Sequence, residues 1–189
     1  MPSASKPPTG YRFAPLRPGT PHFDEAVRRY LAIWPGEAQG IADFFTRYAA
    51  LPDYQGLVAL RADGEGGANG TTVGHGFGVR SLPGNWWHDK VAAQVGAEHP
   101  ALRDAWVLVN LAVSPEERGR GIGGALMEAL LAAQPCPRAL LSTEVGNATA
   151  RRLYERHGWS YLHPGFVFTS GDQPFVVMAR PRLFATPAD

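Results

Sequence analysis

The amino-acid sequence predicts a single α/β domain with helices flanking a sheet, and three observations carry that expectation. Two segments before residue 52 place apolar residues at helical spacing; a glycine-rich turn joins two strand-like stretches into a hairpin; and beyond residue 104 buried-strand runs alternate with amphipathic helices. A chain of 189 residues, 44% of them apolar, has room for one sizeable core.

Residues 1–10 are rich in proline and serine and predict a flexible N-terminal tail, with the folded domain over 11–189. Residues 11–16 alternate as a strand does, and Thr20-Pro21 supplies a cap followed by proline at the first helical position. Phe23, Val27, Tyr30, Leu31 and Trp34 then share one helix face until Trp34-Pro35-Gly36 ends it. Ile41, Phe44, Phe45 and Tyr48 repeat the pattern in a second helix that stops before Pro52. Residues 57–61 and 71–80 read as the strands of a hairpin around a turn at 63–70. In the returning strand Gly74, Gly76 and Gly78 fall on one face, opposite Val73, His75, Phe77 and Val79. These glycines predict close packing of a neighbouring element rather than contact with a ligand. Residues 81–104 are irregular apart from a short helix near 88–95. Runs at 106–113, 139–143 and 175–179 predict strands, and 121–133 and 147–157 predict helices, with no internal repeat.

The 18 Lys and Arg residues nearly cancel the 17 Asp and Glu residues, so no basic field points to nucleic acid or an anionic membrane, and the expected partner is small. Cys136, between two prolines, is the only cysteine, which excludes an internal disulfide and offers no second thiol for metal or redox chemistry. The start lacks the apolar core of a signal peptide, and no run approaches the roughly 20 apolar residues of a membrane span. A cytoplasmic protein without a metal site, monomeric or homodimeric, is the expectation.

The most informative segment runs from strand to helix: Val113-Ser114-Pro115-Glu116-Glu117-Arg118-Gly119-Arg120-Gly121-Ile122-Gly123-Gly124. Glycines at 121 and 123 let a bulky anion approach the backbone, where the first turn of a helix offers free N–H groups and the positive end of its dipole. Ile122, Ala125, Leu126, Ala129, Leu130 and Ala133 form an apolar stripe that anchors the helix. A nucleotide P-loop would need Lys followed by Ser or Thr where this chain has Gly124-Ala125, so that reading fails. A dinucleotide fingerprint matches literally at Gly119, Gly121 and Gly124, with Glu144 as a ribose ligand. There, however, the strand leads almost directly into the first glycine, whereas Ser114 to Arg118 intervene here.

Arg118-x-x-Gly121-x-Gly123 resembles the acyl-CoA-binding signature of the GNAT superfamily of N-acetyltransferases, Arg/Gln-x-x-Gly-x-Gly/Ala. The later stretch from Asn147 through Leu153-Tyr154-Glu155 to Gly158-Trp159 is similar to that family's segment in which an Asn opens a helix containing Leu-Tyr-Glu and ending at Gly-aromatic. The resemblance implies a GNAT-like fold with a mixed, mostly antiparallel sheet, acetyl-CoA or another acyl-CoA as co-substrate, and direct attack of a primary amine on the thioester. It also implies that the strand before the signature, splayed from its neighbour by a bulge, pairs its backbone at Leu111, Ala112 and Val113 with the pantetheine arm. The amides of Arg118, Gly119, Arg120, Gly121, Ile122, Gly123 and Gly124 would hold the pyrophosphate. Asn147 reads as a helix N-cap on its own account and, through the resemblance, as a contact to the pantetheine arm. Tyr154 reads as a core aromatic from its helix face and, through the resemblance, as the acid that protonates the departing thiolate.

A general base is not identified, since Val107 and Val109 stand where certain relatives place Glu or His. Water, Glu144, His75 and His88 stay open. Trp86 and Trp87 read equally as an aromatic wall for the acceptor or as packing. The acceptor is a small-molecule or peptide amine, and the rival to catalysis is a CoA-binding sensor module that keeps the turn without turnover.

Overall fold

The computed structural model describes residues 6–34, 36–62 and 70–181. Residues 1–5 of the expected tail, Pro35 of the helix-ending motif and 63–69 of the hairpin turn lie outside them. In chain order the elements are β1 (Tyr11–Pro15), α1 (Pro21–Ile33), α2 (Ala38–Ala49), β2 (Gln55–Arg61), β3 (Thr71–Ser81), α3 (Trp86–Val95), β4 (Ala105–Val113), α4 (Ile122–Ala133), β5 (Arg138–Glu144), α5 (Ala148–Arg156), β6 (Ser160–Phe166) and β7 (Phe175–Pro181). Short 3-10 turns occupy Pro100–Leu102 and Pro115–Glu117. The strands follow the order β1-β2-β3-β4-β5-β7-β6. The β4–β5 pair is parallel, while β1–β2, β2–β3, β5–β7 and β6–β7 are antiparallel. This is the mixed, mostly antiparallel α/β architecture that the sequence predicts. The chain divides into two compact units, one of residues up to Val79 with Asn110–Gln134, the other of Arg80–Val109 with the residues from Pro135 onward.

In the first unit the helices begin where their caps dictate. Thr20 accepts from the Phe23 amide at 3.3 Å, and Glu37, which no sequence signal singled out, accepts from Gln39 and Gly40. The predicted aromatic faces of α1 and α2 meet: Phe45 sits edge-on to Phe23 at 5.9 Å and to Phe77 of β3 at 4.9 Å. Trp34 departs from its predicted face. It is 40% exposed because it stands past the last turn as the extended C-cap, leaning on Tyr30. The small residue Ala26 is buried instead.

Gly74 and Gly76 of β3 have the role expected of them. A Cβ at Gly74 would come within 2.8 Å of the Ala112 carbonyl oxygen, and one at Gly76 within 3.0 Å of Leu130 Cδ1 and 3.1 Å of Leu111 Cδ1. Backbone of β4 and a side chain of α4 thus occupy the space that side chains would need. Helix α4 buries more than its predicted stripe: Met127 and Leu131 are buried as well, while Ala133 at its end is exposed.

In the second unit α3 packs through Val91 on a core of Leu102, Ala105, Leu140, Phe168 and Val177. Strand β6 was not anticipated, because Pro164-Gly165 interrupts any strand pattern. It is tolerated at the end of the strand order, where its ladder with β7 is irregular between Tyr161 and His163 and again before Phe166. Among the described residues no helix is long and apolar enough to cross a membrane.

Candidate functional site

Strand β4 gives way at Ser114 to the 3-10 turn Pro115–Glu117, and the chain then passes Gly119 and Gly121, both at φ 79°. Side chains rarely adopt that left-handed backbone, so glycine is required at both positions. Gly121 is the N-cap of α4 and has no side chain with which to cap it. Ala125 N donates to Gly121 O at 3.0 Å as the first helical bond, so the amides of Ile122, Gly123 and Gly124 precede the helical ladder. Among the described residues, chain neighbours aside, no heavy atom lies within 4 Å of a Cβ built at Gly119, and Pro8 Cγ lies 4.0 Å from one at Gly121. Room at these two glycines and the dipole end of a twelve-residue helix are the features on which an anion site is built.

The expected pantetheine strand lies just upstream. The β4–β5 ladder runs from Ala105↔Arg138 to Leu108↔Leu141, and β4 continues to Val113. Leu111, Ala112 and Val113 therefore belong to a stretch of β4 with no ladder pair to β5 among the described residues. On its other side this stretch meets β3, where Ser114 N donates to Val73 O at 2.9 Å.

The two arginines of the turn are engaged with it. Arg118 Nε donates to Val113 O at 3.1 Å, closing the strand end, and Arg120 Nε lies 3.4 Å from Glu117 Oε2. In the second unit Asn147 Oδ1 accepts from Ala150 N at 3.1 Å, so it is the N-cap of α5 as its position predicted. Tyr154, in the same helix, is 8% exposed and edge-on to Trp159 at 5.9 Å. Burial pushes its phenol up to about 12.

Residues 84–161 match the model of a family described as an acetyltransferase (GNAT) domain. Over that segment the chain is similar to the GNAT acetyltransferase family. A GCN5-like protein acetyltransferase of Mycobacterium tuberculosis is 31% identical over 123 residues, which span 60% of this chain and 60% of that protein. The crystal structure of Ard1 from Thermoplasma volcanium aligns over 93% of this chain and 100% of its own, with a TM-score of 0.64 at 17% identity. That of the NatC complex bound to Gag peptide and CoA aligns over 92% and 99%, also at 0.64, with 18% identity. At these identities the likeness is one of fold.

The open candidates for a general base separate. His88 is 6% exposed with Nδ1 3.0 Å from Ser81 Oγ, and burial lowers its pKa, as for a satisfied core histidine. His75 is fully buried on β3, 5.5 Å from the Phe45 ring, and burial drives its pKa down to about 4. The Asn110 carboxamide lies close enough to favour the charged ring but not in hydrogen-bond geometry, so both ring nitrogens and Asn110 Oδ1 are without partners among the described residues. Glu144 ends β5 exposed. Trp87 is packing, with Nε1 donating to Ser142 Oγ at 2.9 Å, while Trp86 is 55% exposed beside Phe168.

Sequence reasoning missed the groups that hold the turn in place. Glu117, 2% exposed, accepts from Tyr11 of β1 at 2.6 Å and from Arg61 of β2 at 2.5 Å. Ser114, 4% exposed, accepts from Arg29 of α1 at 2.6 Å. Both are tertiary pairings that no local spacing announces.

Proposed function

We propose that this protein is an acyl-CoA-dependent N-acetyltransferase that moves the acetyl group of acetyl-CoA, or the acyl group of a close relative, to a primary amine by direct attack on the thioester. The observation that carries the reading is the start of α4 at a left-handed glycine with no side-chain cap, with open space at the Cβ positions of Gly119 and Gly121. The turn before it argues against a dinucleotide site, because a 3-10 turn separates β4 from the first glycine.

In this reading the amides from Arg118 to Gly124 receive the pyrophosphate, and Leu111, Ala112 and Val113 offer main-chain groups to the pantetheine arm as an added strand would. Asn147 spends Oδ1 on its cap and keeps its amide hydrogens for the arm or a water. As the new C–N bond forms and the C–S bond breaks, Tyr154 donates a hydrogen bond or its proton to the departing thiolate. The amine proton leaves through water or the exposed Glu144. His75 and His88 are poor acceptors, since burial disfavours their charged forms. The acceptor is a peptide or small-molecule amine.

Acetyl-CoA should raise the melting temperature and NAD should not. Incubating a panel of peptide N-termini, lysine peptides and small amines with acetyl-CoA, while following free thiol, tests turnover and names the acceptor class. Stabilisation by NAD alone would return the turn to the dinucleotide reading. CoA binding without turnover on any amine would favour the sensor reading.

A further inference from the structure

A buried carboxylate is a poor neighbour for an anion, yet Glu117 stands four residues before the glycine that opens α4 and is almost completely buried. Its two oxygens are used differently. Oε1 takes Arg61 Nη1 at 2.5 Å, which neutralises the carboxylate from β2. Oε2 takes the Tyr11 hydroxyl at 2.6 Å and faces Arg120 Nε at 3.4 Å, while Arg120 Nη1 donates to the same Tyr11 oxygen at 3.5 Å. Tyr11 thus donates to the acid and accepts from the base, and the three side chains close a ring.

The ring lies beside the expected phosphate position. Arg120 directly precedes Gly121, its side chain is 59% exposed, and β1 enters through a turn in which Tyr11 N donates to Pro8 O, with Pro8 Cγ at 4.0 Å from the Cβ position of Gly121. With Glu117 balanced by Arg61, the positive charge of Arg120 is left for the ligand. A free arginine on a turn loses rotamer entropy when it meets a phosphate, and a held one has already lost it.

We propose that Tyr11 and Glu117 are positioning residues for acyl-CoA binding, which hold the Arg120 guanidinium at the mouth of α4 to meet the phosphate charge of the co-substrate. This rests on the acyl-CoA reading of the turn. Glu117 also screens Arg120 from wandering, because a carboxylate with both oxygens engaged fixes the hydroxyl that in turn fixes the guanidinium.

The test compares Tyr11→Phe, Arg120→Ala and the double variant, reading CoA affinity by calorimetry and turnover with two donors, acetyl-CoA and S-acetylpantetheine, which carries the same thioester without phosphates. Tyr11→Phe should raise the CoA Kd and the acetyl-CoA KM by about 3- to 10-fold, the scale of one lost hydrogen bond, with kcat unchanged. With S-acetylpantetheine kcat/KM should not move. In the Arg120→Ala background Tyr11→Phe should add nothing, since its effect runs through Arg120. Additive losses, or an equal loss with S-acetylpantetheine, would assign Tyr11 to general packing and overturn the proposal, as would an unchanged CoA affinity in Tyr11→Phe. Wild-type protein that binds no CoA would overturn the acyl-CoA reading itself, and the proposal with it.

Discussion

In the proposed function the phenol of Tyr154 meets a leaving thiolate, and its surroundings shape how it can do so. Burial pushes its pKa up to about 12, so the hydroxyl stays protonated through the neutral range and is always available as a donor. The same shift makes it a weaker acid than a thiol, whose ordinary value is about 8.5, so its contribution leans toward hydrogen bonding in the transition state. Tyr154→Phe keeps the ring against Trp159 and should lower kcat by on the order of 10- to 10³-fold while leaving the CoA Kd within about twofold. Normal turnover on the true acceptor would make Tyr154 a packing residue. Among single residues, the cap at Asn147 was legible, because it solves a problem set by its immediate neighbours; the positive φ of Gly121 was not anticipated. Nor was Glu117, since its partners Tyr11 and Arg61 lie 106 and 56 residues away, and nothing in Pro-Glu-Glu-Arg says which acid is buried.

Among the elements, α4 and its turn make the sharpest demand on sequence. Gly121 sits at φ 79°, so Gly121→Val should cost stability of about 1–3 kcal/mol from backbone strain whatever binds there. Gly123 is helical, inside α4, and its replacement by valine is the cleaner probe of ligand approach. Gly123→Val should fold, with the acetyl-CoA-induced rise in melting temperature abolished; a full rise in the folded variant would remove the turn from the binding site. The packing of α1 and α2 makes a separate demand. Phe45 is 1% exposed and contacts the rings of Phe23, Tyr30, Phe44 and Phe77. Phe45→Ala should cost about 3–5 kcal/mol in urea unfolding, and a loss below about 1 kcal/mol would mean that the two helices are not anchored there. These helices were legible because their apolar spacing survives on the folded faces. Strand β6 was hidden because its partner supplies the order: Ser160 pairs with Ala179 and Phe166 with Phe175, and that pairing outweighs the Pro-Gly inside it.

For the whole molecule, the buried histidine of β3 sets an expectation about acid stability. His75 is neutral in the folded chain because burial opposes its charge, and the positive Arg29 adds to that effect while Asn110 offsets part of it. Its pKa falls from 6.5 to about 4. Between these two values the unfolded chain takes up a proton that the folded chain refuses, so stability is fully present above pH 6.5 and declines as the pH drops toward 4. A shift of this size corresponds to a loss of roughly 3 kcal/mol across the window. His88, also lowered by burial, acts in the same direction. Glu117, held below the ordinary carboxyl value of 4.5 first by the Tyr11 hydroxyl, adds its own loss only at lower pH, as its folded form is protonated. Urea midpoints measured from pH 7.5 down to 4.5 should therefore fall steadily. His75→Phe places a ring of similar size beside Phe45 and removes two buried nitrogens that have no partner among the described residues. It should flatten most of that slope and leave the variant more stable than the parent at pH 5. A parent whose midpoint does not change over this range would show that the imidazole is protonated as readily in the folded chain as in the unfolded one, and that His75 has found a partner which offsets its burial.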